Sequence, residues 1–87
     1  MTASLHIQVR YFASLREALG AVESLTLASE ASVATARDAL IARSPAHAAA
    51  LARGRAVRTA LNQTLCDETA ALADGAELAF FPPVTGG

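Results

Sequence analysis

The feature that most constrains the fold of this chain is the alternation of apolar and polar residues in short stretches. In residues 5–12 every second residue is leucine, isoleucine, valine or tyrosine, and the residues between them are polar until Phe12. A period of two is typical of a β-strand with one buried and one exposed face. The same period predicts further strands over residues 22–27, 56–61 and 77–81. Because half-buried strands need a second layer, we expect a sheet that is covered on one face.

The covering layer is predicted to be one main helix between the second and third strands. Ser32 is a favourable N-cap. Val33, Ala36 and Leu40 then recur at helical spacing, and Arg37 lies outside that stripe. The helix is therefore expected to place its apolar stripe on the sheet and to leave Arg37 in solvent.

Shorter elements connect these segments. Helical segments are expected over residues 13–19 and 46–51, and residues 64–66 predict a short strand. Asn62-Gln63 and Asp74-Gly75 are turn signals. The resulting order, β-β-α-β-β-β, predicts an α+β roll in which a mixed sheet packs on one main helix. The domain is predicted to span residues 1–81, and a tail is predicted over residues 82–87.

Composition argues against several classes of function. The 87 residues carry seven arginines, no lysine and a net charge of -1, which does not favour nonspecific binding to nucleic acid. The single cysteine cannot form an internal disulfide. No apolar run approaches the roughly 20 residues that span a membrane. The first ten residues lack the features of a signal peptide, so the expected location is the cytoplasm. His6 and His47 lie far apart in sequence and are both expected to be solvated, so no metal site is predicted.

The last six residues, PPVTGG, are the most informative part of the sequence. One interpretation is a terminus without a role. The other is a tail built for insertion: two glycines without Cβ atoms can enter a narrow channel, and Pro82-Pro83 stiffens its root. The carboxylate of Gly87 would then be the delivered group, after activation as an acyl-adenylate.

The same residues resemble a known family. ELAFFPPVTGG at residues 77–87, LNQTL at residues 61–65 and VRYFASLREALG at residues 9–20 are similar to the small, sulfur-carrier subunit of molybdopterin synthase. The resemblance implies the β-grasp (ubiquitin-like) fold. It also implies that the chain is a non-catalytic subunit, active only with its large subunit in a heterotetramer of two small and two large subunits.

The mechanism that the resemblance implies places the chemistry at Gly87. An E1-like adenylating enzyme would use ATP to adenylate the Gly87 carboxylate, and a sulfur donor system would convert it to a thiocarboxylate. The tail would then enter the active site of the large subunit and donate sulfur to cyclic pyranopterin monophosphate. Gly86 would thread the channel with Gly87. No cofactor is expected on this chain, since ATP belongs to the activating enzyme.

Partner-binding residues are predicted beside and within the tail. Phe12 and Phe81 fall opposite the apolar set of their strands, and exposed apolar clusters usually mark interaction surfaces. The alternative is that they pack under connecting loops. The family's apolar patch implies that the partner-binding residues are Phe12, Leu65, Phe81, Pro82, Pro83, Val84 and Thr85, and it implies at most a place at the polar rim for Arg16.

Several alternatives stay open at this point. The Gly-Gly ending also fits a sulfur carrier for thiamine, cysteine or tRNA thiolation, or a ubiquitin-like protein modifier; the tail could also be inert. Cys66 is interpreted as a small apolar filler, with a sulfur-relay role as the alternative. Asp67-Glu68 is expected to be a solvated loop. The arginines at 53, 55 and 58 are interpreted as a solvated edge or, alternatively, a docking element.

Overall fold

The computed structural model describes residues 4–83, and the predicted order of elements is confirmed. Asn62 and Gln63 both have positive φ values of 50° and 70°, as a tight hairpin turn requires, and Gly75 has φ 83° in the predicted turn before the last strand. The strands are β1 (Ser4–Tyr11), β2 (Val22–Ala28), β3 (Arg58–Leu61), β4 (Thr64–Cys66) and β5 (Glu77–Phe81), and the helices are α1 (Ala13–Leu19), α2 (Val33–Ile41) and α3 (Pro45–Leu51).

The five strands form one mixed sheet in the order β2-β1-β5-β3-β4. β1 pairs antiparallel with β2 and parallel with β5, and β5 pairs antiparallel with β3. Tyr11 of β1 lies opposite Phe80, and Arg58 of β3 lies opposite Phe81. The last strand therefore occupies the middle of the sheet, and the chain leaves it between β1 and β3.

The core lies between one face of the sheet and the helices. Val9, Leu78 and Phe80 point into it from the central strands and are fully buried. The helical stripe predicted for α2 is confirmed, because Val33, Ala36 and Leu40 are all fully buried. Ser32 caps α2 through a capping box with Thr35, as its position predicts.

The expectation that Arg37 lies in solvent is wrong. Only 3% of Arg37 is exposed. Its guanidinium donates hydrogen bonds to the carbonyl oxygens of Leu51 at 2.8 Å, Ala52 at 2.7 Å and Arg55 at 3.1 Å, and to Glu68 Oε2 at 2.6 Å. The carbonyls at the end of a helix lack partners within that helix, and Arg37 supplies donors for the end of α3.

The expectation of a solvated Asp67-Glu68 loop is wrong for Glu68 and holds for Asp67, which is exposed. Glu68 pairs with both Arg37 and Arg53, and Arg53 also binds Asp38. Burial alone would raise the pKa of Glu68, but the hydrogen bonds from Arg53 and Arg37 outweigh it and lower that pKa. The ion pairs thus tie the β4–β5 loop to α2.

His47 is also a correction, because it is half-buried rather than solvated. Its Nε2 lies 2.7 Å from Glu23 Oε2 and its Nδ1 lies 2.7 Å from Ser44 Oγ. The Tyr11 hydroxyl donates to the same Glu23 carboxylate at 2.6 Å. Burial, followed by this hydrogen bond, raises the pKa of Tyr11, so the phenol stays protonated. His6 is exposed, as expected.

Candidate functional site

The candidate site lies on the open face of the sheet, opposite the helices. Along this face Arg10 lies opposite Ala79, Ala79 opposite Ala60, and Ala60 opposite Leu65. Two alanines at the centre of a sheet leave space that larger side chains would fill. The result is a depression of about 260 Å³, lined by Arg10, Phe12, Ala60, Gln63, Glu77, Ala79 and Phe81.

Phe12 reaches this face because the strand alternation continues past the end of β1. Its backbone is extended, with φ -128° and ψ 156°, and its N–H donates to the Phe80 carbonyl at 3.2 Å. The chain turns into α1 only at Ala13, which has φ 54°. The Phe12 side chain is left 41% exposed at the edge of the depression.

Two other predicted partner-binding residues, Phe81 and Leu65, lie on the same face. Phe81 alternates with the buried Phe80, lines the depression and is half-buried. Leu65 lies one strand beyond the depression, opposite Ala60, and is 63% exposed. The structure therefore brings Phe12 and Phe81 into one depression, and Leu65 extends the apolar surface across β3 to β4. We call Phe12, Leu65 and Phe81 the apolar patch.

The charged groups at the depression are paired with each other. Arg10 Nη1 donates to Glu77 Oε2 at 3.1 Å, and the Arg10 guanidinium carbon lies 5.7 Å from the centre of the Phe12 ring. The guanidinium thus holds the ring by a cation–π contact at the rim of the depression. Sequence reasoning missed Arg10, Glu77 and the two alanines. In the sequence, the two alanines are only small residues on the polar side of two strands. They indicate a depression only once the strands are in register.

The root of the tail is fixed by the central strand. Phe80 is fully buried and stacks on Tyr11 with ring centres 6.1 Å apart. Pro82 is half-buried and Pro83 is exposed. Pro82 lines a second depression of about 230 Å³ with Ser14, Leu15, Ala50, Arg55, Ala56 and Val57. Val84, Thr85, Gly86 and Gly87 lie outside the described residues, so their assignment stays a prediction.

The side chain of Cys66 packs against the core and not beside the apolar patch. It is half-buried against the core, and its Sγ lies 3.6 Å from the hydroxyl of Thr59. This packing agrees with the interpretation of Cys66 as a filler. Within residues 4–83 there is no group of three or more His, Cys, Asp or Glu residues that could hold a metal ion. In the same part of the chain, no helix is long and apolar enough to cross a membrane.

The arrangement can bind a partner better than it can perform chemistry. The carboxyl groups with lowered pKa values are Glu23, Asp67 and Glu68. Each of them is held by hydrogen bonds to its neighbours, and none lines the depression of the open face. An apolar surface with a charged rim, beside a stiff exit for the tail, has the composition of a docking surface.

Comparisons with known proteins agree with this picture. The profile of the ThiS family matches residues 9–87. The chain is 42% identical over 81 residues to the molybdopterin synthase sulfur carrier subunit of Escherichia coli (strain K12), covering 93% of this chain and 99% of that protein.

Two solved structures extend the comparison to the fold. Small archaeal modifier protein 1 from Haloferax volcanii matches with a TM-score of 0.75 and 30% identity, covering 92% of this chain and 99% of the other. A chain from the complex of subunits 1 and 2 of molybdopterin-converting factor from Helicobacter pylori 26695 matches with a TM-score of 0.63 and 25% identity, covering 95% and 100%. The β-grasp fold predicted from the sequence is confirmed.

Proposed function

The chain belongs to the ThiS family, and from this membership we propose that it is a sulfur carrier for molybdenum cofactor biosynthesis. The observation that carries the proposal is its 42% identity, over 93% of its length, to a molybdopterin synthase sulfur carrier subunit. The carrier delivers sulfur as the thiocarboxylate of Gly87 and has no activity without its large subunit.

The chemistry requires activation before sulfur can enter. A carboxylate resists attack because it is an anion, and adenylation by ATP converts the Gly87 carboxylate to an acyl-adenylate with release of pyrophosphate. A sulfur nucleophile from the donor system then displaces AMP and leaves a thiocarboxylate. The thiocarboxylate sulfur attacks a carbon of cyclic pyranopterin monophosphate in the large subunit and displaces an oxygen substituent. Water then hydrolyses the resulting thioester, which leaves the sulfur on the pterin and restores the Gly87 carboxylate. Because the thiocarboxylate is ionised near neutral pH and strongly nucleophilic, no side chain of the carrier has to act as a base.

The described geometry supports docking beside the tail. Phe12 and Phe81 border a depression on the open face, and Pro82 continues directly from Phe81. A partner that covers the apolar patch receives the tail at a fixed place and direction. Two successive prolines restrict the backbone at the root, which reduces the entropy lost when the tail is inserted.

The proposal names three partners. The large subunit of molybdopterin synthase receives the charged tail, and a complex of subunits 1 and 2 is the form in which the Helicobacter pylori relative was solved. An E1-like adenylating enzyme supplies ATP chemistry, and a sulfur donor system supplies the sulfur. The cytoplasm is the proposed compartment for all three steps.

A second candidate is a ubiquitin-like protein modifier. It is favoured by the 30% identity to small archaeal modifier protein 1 of Haloferax volcanii. The two functions share the adenylate of Gly87 and differ in what happens next. A carrier accepts sulfur and loses it to a small molecule, whereas a modifier forms an isopeptide bond with an amine of another protein.

The test is the intact mass of the chain after incubation with the adenylating enzyme, ATP and the sulfur donor. We expect the mass to change by replacement of one oxygen with one sulfur. A matched control carries one extra residue after Gly87, which removes the reactive carboxylate and leaves residues 4–83 intact; its mass should not change. An unchanged mass of the wild-type chain, with an adenylating enzyme that charges its own carrier, would contradict the proposal.

A further inference from the structure

The arginines of the chain divide into two groups. Arg10, Arg37, Arg43 and Arg53 each pair with a carboxylate in the structure. Within residues 4–83, no carboxylate lies within ion-pair distance of Arg16, Arg55 or Arg58. A protein with eight acidic residues and seven arginines has enough carboxylates to pair with them all, so the position of the remaining arginines is informative.

Arg55 and Arg58 both lie at the root of the tail. Arg58 is exposed and lies directly opposite Phe81 in the β3–β5 register. Arg55 is exposed and lines the depression that contains Pro82. Both backbone polar groups of Arg55 form hydrogen bonds: its N–H donates to the Ala52 carbonyl at 2.8 Å, and its own carbonyl accepts from Arg37 at 3.1 Å. A rigid backbone thus presents two solvated guanidinium groups.

Two carboxylates that share a depression with Arg58 form hydrogen bonds to other groups. Asp67 and Glu68 line the same open depression as Arg58. Asp67 accepts a hydrogen bond from the Thr69 N–H at 3.1 Å and another from the Thr69 hydroxyl. Glu68 is held by Arg37 at 2.6 Å and by Arg53. Arg58 therefore forms no direct ion pair with a carboxylate within residues 4–83, which leaves its guanidinium available to a partner.

We propose that Arg55 and Arg58 form a basic flank that pairs with carboxylates on the large subunit, beside the entrance through which that subunit receives the tail. The inference rests on the proposed function. The flank adjoins the apolar patch at Phe81, and specific interfaces combine an apolar centre with a polar rim. Complementary charge at such a rim raises the association rate and orients the encounter more than it lengthens the lifetime of the complex.

The orientation in which the large subunit meets this chain matters because of the tail. The apolar patch is a shallow surface that allows a partner to rotate, whereas the tail must meet one channel. Charges on one side of the tail root, with the Arg10–Glu77 pair neutralised on the other side of the depression, break that symmetry. The basic flank therefore selects the orientation in which the tail faces the entrance.

The test measures association of the chain with its large subunit by stopped-flow and calorimetry. The variants are Arg55→Gln, Arg58→Gln, the double variant and Arg58→Lys. Ser29→Glu changes the net charge by the same amount as each single Gln variant, and Ser29 follows Ala28, which pairs with Ser4 at the far end of β1. Thermal unfolding should be unchanged in all of them, because neither Arg55 nor Arg58 forms an ion pair within residues 4–83.

At an ionic strength of about 0.01 M, where the Debye length is about 30 Å, we expect the double variant to associate about tenfold more slowly than wild type. The difference should nearly vanish at about 1 M, where the Debye length is about 3 Å. Arg58→Lys should retain most of the rate, and Ser29→Glu should match wild type.

Two results would overturn the inference. One is a double variant that associates like wild type at low salt, and the other is a loss that persists unchanged at high salt. Failure of the wild-type chain to bind the large subunit at any salt concentration would instead count against the proposed function, so the two failures are distinguishable.

Discussion

Phe80 and Phe81 are neighbours in β5 that face opposite sides of the sheet, so truncating each one separates folding from docking. Phe80 is fully buried and stacks on Tyr11. Phe81 is half-buried at the depression of the open face. We predict that Phe81→Ala weakens binding to the large subunit with little loss of stability, and that Phe80→Ala has its main effect on stability.

The magnitudes follow from burial. Removing a fully buried phenylalanine costs about 3–5 kcal/mol, out of a total that is about 4–13 kcal/mol for a chain of this size. At about 4–8 °C per kcal/mol, Phe80→Ala should lower the melting temperature by about 12–40 °C. Phe81→Ala should cost about 1 kcal/mol of folding stability, as is typical of point substitutions. As an aromatic anchor at an interface it should cost about 2 kcal/mol of binding, or about 30-fold in Kd.

The assay combines thermal unfolding by circular dichroism with calorimetric binding to the large subunit, below the melting temperature of every variant. Val22→Ala serves as a control, because Val22 is 48% exposed on the outer strand and lies outside the apolar patch. It should change neither quantity. If Phe81→Ala lost as much stability as Phe80→Ala while its Kd stayed at the wild-type value, Phe81 would belong to the core and the docking surface would lie elsewhere.

Two further predictions concern the polar network. Arg37→Met should lower the free energy of unfolding in urea by about 3–5 kcal/mol, because it leaves three carbonyls without their donor and leaves Glu68 with Arg53 alone. A loss below about 1 kcal/mol would contradict this prediction. Burial would raise the pKa of Glu23, but hydrogen bonds from Tyr11, His47 and Arg43 lower it below 4.5. The ionised carboxylate therefore stabilises the native state at pH values above 4.5, and this contribution is lost as the pH falls through the lowered pKa of the folded state. Glu23→Gln should therefore destabilise the chain at pH 7 and differ less from wild type in acid, and an equal loss at both pH values would refute this assignment.

Local signals in the sequence were sufficient to predict the elements. Alternation marked the strands, and Ser32 and the Asn62-Gln63 turn act through neighbours within a few residues. Such signals depend only on the local backbone, so they can be interpreted without knowledge of the tertiary fold. The exposure of Phe12 and Phe81 can also be predicted, because each falls opposite the apolar set of its strand, whereas Leu65 is implied only by the family resemblance.

The long-range polar contacts could not be predicted from the sequence. Arg37 lies outside the apolar stripe of α2, which predicts a solvated side chain, and the partners that allow its burial lie 14 to 31 residues away along the chain. His47 and Glu23 are separated by 24 residues in the same way. Ala60 and Ala79 define the depression only once β3 and β5 are in register. These features arise from pairing between distant segments, which periodicity does not encode.

If this chain carries sulfur from a donor to a pyranopterin through Gly87, isotopically labelled sulfur should follow the same route. The chain is charged with isotopically labelled sulfur, purified and mixed with the large subunit and cyclic pyranopterin monophosphate. We expect the label to leave the chain and to appear in the dithiolene product only when the large subunit is present, and we expect the chain to return to its carboxylate mass. Label that stays on the chain, or a chain that becomes joined to other proteins by an isopeptide bond instead, would contradict it.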